Sequence, residues 1–534
     1  MRIPCFHLRA LEGHDKVGPV LRNILSVGGL TLASRVLGFV RDVVTAALLG
    51  AGPVADAFFV ALRLPNHFRA LLAEGAFNAA FVPVFSRLMV ASGRPRALVF
   101  AEQVLALMVL SQLVLLVIAE LVMPQFMHVF APGFADQPEK FGLAVLFTRI
   151  TFPYLMFIAI VALTSALLNA LGHFAAAAAA PILLNAVLIL AQLVLTAFLP
   201  TAGHALAWGV LLAGLAQFLF LLWSCQRAGV RLRLPRPRLT PDVRQFLRVL
   251  GPAALGAGVL QISLFADTLI ASFLPTGAVS YLYYADRLNQ LPLGVIGIAI
   301  GTVLLPEMSR HLKRGDVAAA SYDQNRAFEL SLLLTLPAAA AFLAAGPEIV
   351  AVLFQRQSFG PADAAATAAT LTAYAIGLPA FVLIRSVLPG FYAREDTATP
   401  VRIAVVAVAV NIALKLILMG PLLQVGLALA TALSSWLNFV LLALALRRRG
   451  FLALDARFKR GLLPLAAATL GMAIALKLAL LGLAPWFEVP GLAGRVAALA
   501  VLIAIGGAVF GGLALLLGAV DRAGLRRLLR RRQS

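Results

Sequence analysis

The chain is poor in charge, in acidic residues and in cysteine. Only 13% of its 534 residues are charged while 61% are hydrophobic; soluble domains carry roughly 25% charge. A soluble fold this apolar has too little polar surface to cover itself, which excludes a soluble enzyme and a disordered chain. Two cysteines, Cys5 and Cys225, build neither a disulfide framework nor a four-thiolate metal site. Seven histidines lie scattered without ligand spacing, so no metal site is expected. There is no Gly-rich phosphate loop ending in Gly-Lys-Ser/Thr, no His-Glu-x-x-His and no Gly-x-Ser-x-Gly elbow. Neither an ATPase nor a hydrolase is expected, nor a cofactor. Residues 1–22 carry Arg2, Arg9, Glu12, Asp15 and Lys16 and lack the apolar stretch of a secretory signal. The first true span is expected to insert the chain and to stay in it.

What the sequence has in excess is long apolar runs. A membrane helix needs about 20 mostly apolar residues. Runs between polar punctuation fall at 24–49, 54–85, 98–123, 141–171, 179–200, 204–225, 249–274, 278–306, 327–345, 363–392, 401–420, 424–446, 462–486 and 493–520. The reading is an all-α polytopic membrane protein of about fourteen transmembrane helices, with both termini on one side. With the N-terminus in the cytoplasm, and with Arg402 and Arg495 at the ends of their spans counted with the flanking loops, 32 of the 44 cations fall in inside segments and three outside, at Lys140, Arg356 and Arg495. That asymmetry obeys the positive-inside rule. The net charge of +21 is thereby explained as topology signal and contact with anionic membrane lipids. Its basic runs lack interleaved aromatics, so no nucleic-acid partner is expected.

The first half recurs in the second. Asp42-Val-Val-Thr aligns with Asp267-Thr-Leu-Ile at an offset of 225, and Leu62-Arg63-Leu64 with Asp286-Arg287-Leu288 at 224. Ile150-Thr-Phe-Pro153 aligns with Ile376-Gly-Leu-Pro379 at 226. Polar anchors in one order at nearly one offset describe two parallel six-helix repeats, expected to flank a central cavity and to rock about it. The expected organisation is an N-terminal extension (1–23), an N-lobe (24–225), a cytoplasmic linker (226–248), a C-lobe (249–446), two extra helices (462–520) and a basic tail (521–534). Within the linker, Thr240-Pro241-Asp242 reads as a helix cap followed by proline at the first helical position, so an amphipathic helix leads into span 7. A plain tether fits the linker equally well.

Nine cations fall inside spans: Arg35, Arg41, Arg63, Arg69, Arg149, Arg287, Arg385, Lys415 and Lys477. Each costs about 2.5–3.5 kcal/mol at mid-membrane on insertion scales, so each should face an interior, a wet cavity or an interface. The acids near the clustered arginines are Asp42, Asp56, Glu74 and Asp286. On an ideal helix Arg35 and Asp42 share a face, and Arg35 and Arg41 lie about 120° apart. Some arginines therefore pin helices through salt bridges. Others, Arg35, Arg63 and Arg287 foremost, are candidates for an anionic, phosphate-bearing substrate, because guanidinium forks match phosphate oxygens. Gly28-Gly29, Gly38, Pro65, Pro83, Pro292 and Gly294 are expected to interrupt spans 1, 2 and 8 beside a cavity. In the second repeat Asp267 and Lys415 sit in apolar surroundings without local counter-charge. They are expected to pair with each other, with Asn411 and Thr431 supplying hydrogen bonds, the alternative being that each faces a separate water-filled crevice.

Several segments resemble the MurJ/MviN family. They are Ser34-Arg35-Val-Leu-Gly-Phe-Val-Arg41-Asp42, Asp56-Ala-Phe-Phe, Leu64-Pro65-Asn66 and Ala73-Glu74-Gly75-Ala76-Phe77. Ala131-Pro-Gly-Phe-Ala-Asp136, Tyr283-Tyr284-Ala-Asp286-Arg287-Leu288 and Pro389-Gly-Phe-Tyr-Ala-Arg394 complete the set. The family consists of bacterial inner-membrane flippases for lipid II, the undecaprenyl-pyrophosphate disaccharide-pentapeptide precursor of peptidoglycan. It belongs to the multidrug/oligosaccharidyl-lipid/polysaccharide exporter superfamily. The resemblance implies a substrate cavity lined by Arg35, Arg41, Asp42, Asp56, Arg69, Glu74, Asp286 and Arg287, and a lipid-tail groove at spans 13 and 14. It also implies lipid II as partner, the cell-wall synthesis machinery as a possible neighbour, and no enzymatic activity. Three departures stand out. Residues 1–18 precede the usual family start, Arg63 stands where lysine is frequent, and Gln290 stands where some members carry glutamate.

The competing readings are a flippase for another undecaprenyl-linked glycan and a drug or metabolite antiporter of the same superfamily. The antiporter should have an acid-dominated cavity and twelve spans. A scaffolding protein would leave the intramembrane arginines without a purpose. Without a nucleotide-binding motif, membrane potential or an ion gradient is the expected energy source.

Overall fold

The computed structural model describes residues 17–72, 76–488 and 491–520. The extension up to residue 16, Glu74 and the tail 521–534 lie outside the described residues. Fourteen helices follow one another among the described residues. They are α1 (Val17–Leu49), α2 (Pro53–Leu72), α3 (Ala76–Phe130), α4 (Pro138–Thr151), α5 (Tyr154–Ala170), α6 (Phe174–Leu195) and α7 (Ala202–Arg227). The second series is α8 (Pro241–Ser272), α9 (Ala278–Lys313), α10 (Val317–Phe354), α11 (Pro361–Tyr392), α12 (Ala398–Arg448), α13 (Ala456–Glu488) and α14 (Leu492–Leu516). No strand occurs among the described residues, which carry one isolated bridge between Arg356 and Phe359. The protein is an all-α membrane protein.

Helices and expected spans do not correspond one to one. Nine stretches among the described residues are long and apolar enough to cross a membrane, two of them 54 and 51 residues long. At 1.5 Å per residue such lengths far exceed a hydrocarbon core of about 30 Å. Each is broken by a residue outside helical geometry, Gly93 in α3 and Leu423 in α12; α12 holds the two expected spans 401–420 and 424–446, whereas α3 holds 98–123 and only the end of 54–85, which begins in α2. Conversely α4 and α5 together make one apolar stretch, Pro138–Ala170.

The expected interruptions at Gly28-Gly29, Gly38, Pro65, Pro83, Pro292 and Gly294 do not occur as breaks. The helix is continuous through all of them. A proline inside a helix deletes one hydrogen bond and kinks the axis without ending it. Chain reversal took a glycine at positive φ (Gly93) or a Pro-X-Leu sequence (Pro421 to Leu423) instead.

The described chain gathers into two compact units. The first holds the chain up to Arg41, Ala61–Met123 and Leu146–Gln261; the second holds Asp42–Val60, Pro124–Val145 and the chain from Ile262 on.

In the first unit, Phe77, Phe85 and Phe100 of α3 all stack on Phe81, and Phe246 of α8 meets Phe77, Phe81 and Phe100 edge-on. Phe246 and Val243 are the buried residues of α8's first turns, while Arg244, Gln245, Leu247 and Arg248 are exposed. The linker helix is therefore amphipathic, and it continues directly into α8. Thr240 Oγ1 accepts the Val243 N–H at 3.3 Å, closing the start of that helix. The preceding extended stretch is strapped down rather than loose. Arg233 N donates to Glu102 at 2.9 Å, Arg238 N donates to Gln103 at 2.8 Å, and Arg94 donates to the Ala228 and Gly229 carbonyls.

In the second unit, α11 packs against α9, α10 and α12, and α10 in turn against α13 and α14. Phe328 and Leu332 meet Leu383, Val387 and Phe391 of α11, Leu442 and Leu446 of α12, and Phe458 and Leu465 of α13. Further along, Ala340, Ala344 and Val352 pack on Met472 and Leu476 of α13 and on Leu499 and Leu502 of α14. Polar bonds fix the same assembly at the start of α13. There Asp455 caps the helix at Phe458 N, and Arg326 bridges Asp455 to Glu329.

The connections that touch sort by parity, as a serpentine of membrane spans demands. Ser358 N donates to Ala47 O, Gly133 N to Ser272 Oγ, and Thr276 Oγ1 to Gln137, joining the connections after spans 1, 3, 7 and 9. At the other ends, Arg449 pairs with Asp396 and Asn325 Nδ2 donates to Ala453 O. The Asp396 carboxyl is pulled down to about 2, first by the Thr399 N–H and then by the Thr399 and Arg449 side chains.

Candidate functional site: a sealed junction and two polar clusters

The densest polar cluster of the second unit lies where the tip of α1, the start of α2, the start of α4 and the start of α9 converge. Asp56, in the first turn of α2, is fully buried at 0% exposure. Its Oδ2 accepts the Gly277 N–H at 2.7 Å and faces Lys140 Nζ at 3.0 Å. Its Oδ1 accepts the Ser280 N–H at 3.0 Å and the Ser280 hydroxyl at 2.7 Å. A buried carboxylate is tolerable only when paired and fully hydrogen-bonded, and an acid at a helix N-terminus also meets the favourable end of its dipole. Gly277 supplies that N-terminus at φ +94°, a conformation open to glycine. Lys140 is 2% exposed, with its ammonium 4.1 Å from the Phe134 ring centre.

Two residues named from sequence are brought together here. Asp56, expected among substrate ligands, has its lone pairs spent on protein donors. Lys140, counted as an outside loop cation, is its buried partner. A carboxylate in a connection draws in the nearest ammonium once water is excluded, and no local pattern in Gln137-Pro138-Glu139-Lys140 announces which lysine that will be.

Beside Asp56 runs an aromatic seam. Phe59 stacks on Tyr283 with ring centres 3.9 Å apart, and Tyr284 meets Phe59, Phe354 and Phe359. Tyr283 donates its hydroxyl to Asp42 Oδ1 at 3.1 Å, and Tyr284 donates to the Gly50 carbonyl at 3.1 Å. Gly50 is at φ +67°, and a Cβ there would lie 2.4 Å from the Ser358 carbonyl oxygen. Only glycine fits. Arg287, one turn beyond Tyr283, lies over that ring with Cζ 4.7 Å from its centre, and its Nε is buried without an acceptor. Asp286 accepts a hydrogen bond from Gln290, so the glutamine at that position serves the neighbouring acid.

A second cluster belongs to the first unit. Arg41 Nη1 donates to Asn185 Oδ1 at 2.9 Å, and Asn185 Nδ2 donates to the Ser34 carbonyl at 3.0 Å. Gly38 lets the amide approach, since a Cβ there would lie 3.3 Å from Asn185 Nδ2. Arg35 is exposed and Arg63 half-buried. The side chain of Arg69 lies outside the described residues. Arg149 pairs with Glu120 at 3.7 Å and also donates to the Glu120 carbonyl.

The third cluster is in the second unit. Lys415 of α12, 4% exposed at its side chain, donates to Asp267 of α8. Asn411 donates to Ser434 at 2.8 Å. Thr431 turns its hydroxyl back to the Leu427 carbonyl at 2.9 Å, so its proton serves its own helix rather than the pair. Asn185 and Ser280 were not singled out from sequence, Tyr283 entered only as part of a motif and Lys140 only as an outside cation. For Asn185 a signal existed: it precedes Asn411 by 226 residues, the offset that relates Ile150 to Ile376.

Comparison with known proteins places this architecture. The sequence pattern of the family described as "Lipid II flippase MurJ" fits residues 45–493. A probable lipid II flippase MurJ of Rhizobium tropici is 43% identical over 526 residues, covering 96% of this chain and 97% of its own length. One from Rhizobium meliloti (strain 1021) is 44% identical over 518 residues, covering 96% of each chain. Among solved structures, a lipid II flippase MurJ in an inward closed conformation matches with a TM-score of 0.75 at 23% identity, over 92% of this chain and 98% of that one. An inward-facing multidrug resistance MATE family transporter of the MOP superfamily matches with a TM-score of 0.67 at 15% identity, over 78% and 94%. This chain, matched along nearly its whole length, belongs to the lipid II flippase MurJ family.

Proposed function

We propose that this chain flips lipid II from the cytoplasmic to the periplasmic leaflet of the bacterial inner membrane, as a step of peptidoglycan biosynthesis. It works by alternating access and without catalysing a reaction. The observation that carries the reading is family membership along nearly the full chain, at 43% and 44% identity to two probable lipid II flippases. Both termini are assigned to the cytoplasm on the positive-inside distribution. On that orientation the junction around Asp56, Gly50 and Gly277 seals the periplasmic end.

A lipid-linked pyrophosphate must be held as an anion and let go on the other side, while its tail stays in lipid. Arg35, Arg63 and Arg287 are the proposed anion ligands, with Arg41 set by Asn185 and Asp42 set by Tyr283 as their polar surround. Exposed Leu463, Leu470, Ile474, Leu478 and Leu481 of α13 offer an apolar face for the tail. Membrane potential or an ion gradient is the proposed drive, because moving charge across the potential supplies about 2.3 kcal/mol per elementary charge per 100 mV.

The test is reconstitution of the full chain in vesicles loaded on one leaflet with lipid II or with another undecaprenyl-pyrophosphate glycan. Lipid II alone should move. Equal transport of both would favour the broader glycan flippase, and transport of cationic drugs instead would favour the antiporter.

A further inference from the structure

Besides holding Asp42, Tyr283 touches Phe59 and Tyr284 of the aromatic seam and the Arg287 guanidinium. One face of its ring is stacked on Phe59 at 3.9 Å and 19°. The Arg287 guanidinium lies over the ring at 4.7 Å, and since Phe59 fills one face the cation takes the other. The hydroxyl is held by Asp42 at 3.1 Å. Tyr283 and Arg287 are four residues apart on α9, which puts them on one helical face. Phe59 and Asp42 come instead from α2 and α1.

A free arginine side chain has about 2 kcal/mol of rotamer entropy to lose when it binds. Stacking on an aromatic face removes part of that freedom before the ligand arrives, and a cation over a desolvated ring is itself held. Arg287 Nε is buried without an acceptor, so the protein itself leaves that donor unsatisfied. The platform is only as rigid as its own anchors, and both of them belong to the α1–α2 hairpin.

Resting on the assignment of Arg287 to the anion, we propose that Tyr283 is a positioning residue that sets the Arg287 guanidinium for a pyrophosphate, and does so only while Phe59 and Asp42 hold the ring. Separation of the hairpin from α9 removes both anchors at once. Affinity for the pyrophosphate then falls as the junction opens, which favours release on that side.

Binding of farnesyl pyrophosphate to the full chain in lipid nanodiscs tests this without requiring transport, with farnesol as the probe lacking the anion. Tyr283→Leu should weaken farnesyl pyrophosphate about tenfold and leave farnesol unchanged. Tyr283→Phe keeps the ring and should lose no more than about threefold. Phe59→Leu, with Tyr283 and Arg287 intact, should also weaken the pyrophosphate and not farnesol. In an Arg287→Lys background the Tyr283→Leu effect should shrink to less than about twofold, because the two act as one unit. Unchanged pyrophosphate affinity in Tyr283→Leu overturns the proposal. So does an equal loss of farnesol binding, a fully additive double variant, or an unmodified chain that does not bind the probe. If the binding pattern holds while lipid II is not transported, the flippase reading fails and the positioning role stands.

Discussion

Lys415 and Asp267 pair across α12 and α8, with the lysine almost fully buried and the aspartate 30% exposed at its side chain. Each sits where apolar neighbours offer no other counter-charge along its own helix. Removing one partner of such a pair strands the other, which costs about 3–5 kcal/mol when both are deeply buried and less where water reaches one of them. Lys415→Met and Asp267→Leu should each lower thermal stability of the purified chain in lipid nanodiscs. The double variant should lose less than the two single losses combined. Strictly additive losses would show that the pair carries no coupling. With Lys415 as its counter-charge, Asp267 has no need of a bound monovalent cation. Transport is therefore expected to be independent of sodium, checked by exchanging sodium for choline at constant ionic strength.

Asp56 is expected to hold the junction shut. Replacing it with Asn exchanges an anion for an amide in front of two backbone N–H groups, a hydroxyl and the Lys140 ammonium. The buried ammonium then lacks a counter-charge, and the helix dipole at Gly277 lacks its anion. In a background without native cysteines, a cysteine introduced at Ala55 should react several-fold faster with a membrane-impermeant maleimide in Asp56→Asn than with Asp56 present. Ser280→Ala, which removes one hydroxyl donor, should give a smaller increase, in keeping with about 1 kcal/mol for one hydrogen bond.

How much of this could be read from sequence depends on range. The helix start at Thr240-Pro241 is a local pattern, and the structure follows it: Thr240 caps the start of α8. The Lys415–Asp267 contact could be anticipated because so few charges lie within the apolar spans of that half that the choice of partner was narrow. Asp56 and Lys140 were separated by a connection whose path the sequence does not fix, so a buried ion pair passed for one ligand and one loop cation. The seam through Tyr283 is hidden for another reason. An aromatic in an apolar helix reads as core unless its hydroxyl partner is known, and Asp42 lies 241 residues away.

Asn185 should prove structural support for Arg41 rather than a ligand. Asn185→Leu leaves the guanidinium short of one acceptor and the Ser34 carbonyl short of one donor, at a cost of about 1–3 kcal/mol. Asn185→Asp restores an acceptor and should recover part of that stability. Thermal unfolding of the three forms decides it, and equal melting temperatures would contradict the assignment.

The extra helices are expected to be dispensable for insertion and required for transport. They pack on α10 through small and apolar residues such as Ala340, Ala344, Leu476 and Leu502, and lipid replaces such contacts at little hydrophobic cost. A chain ending after Gly461 should reach the membrane at near-normal abundance and move no long-tailed substrate. Normal rates of flipping by the shortened chain would remove α13 and α14 from the tail path.

The most direct test of the central claim is made in bacterial cells depleted of their own lipid II flippase and supplied with this gene. The quantity to measure is the fraction of lipid II exposed on the outer face of the inner membrane. The account predicts that the exposed fraction and growth both return, and that Arg287→Ala at equal membrane abundance restores neither. A chain that is well expressed and membrane-inserted, yet leaves lipid II on the cytoplasmic face, would contradict it.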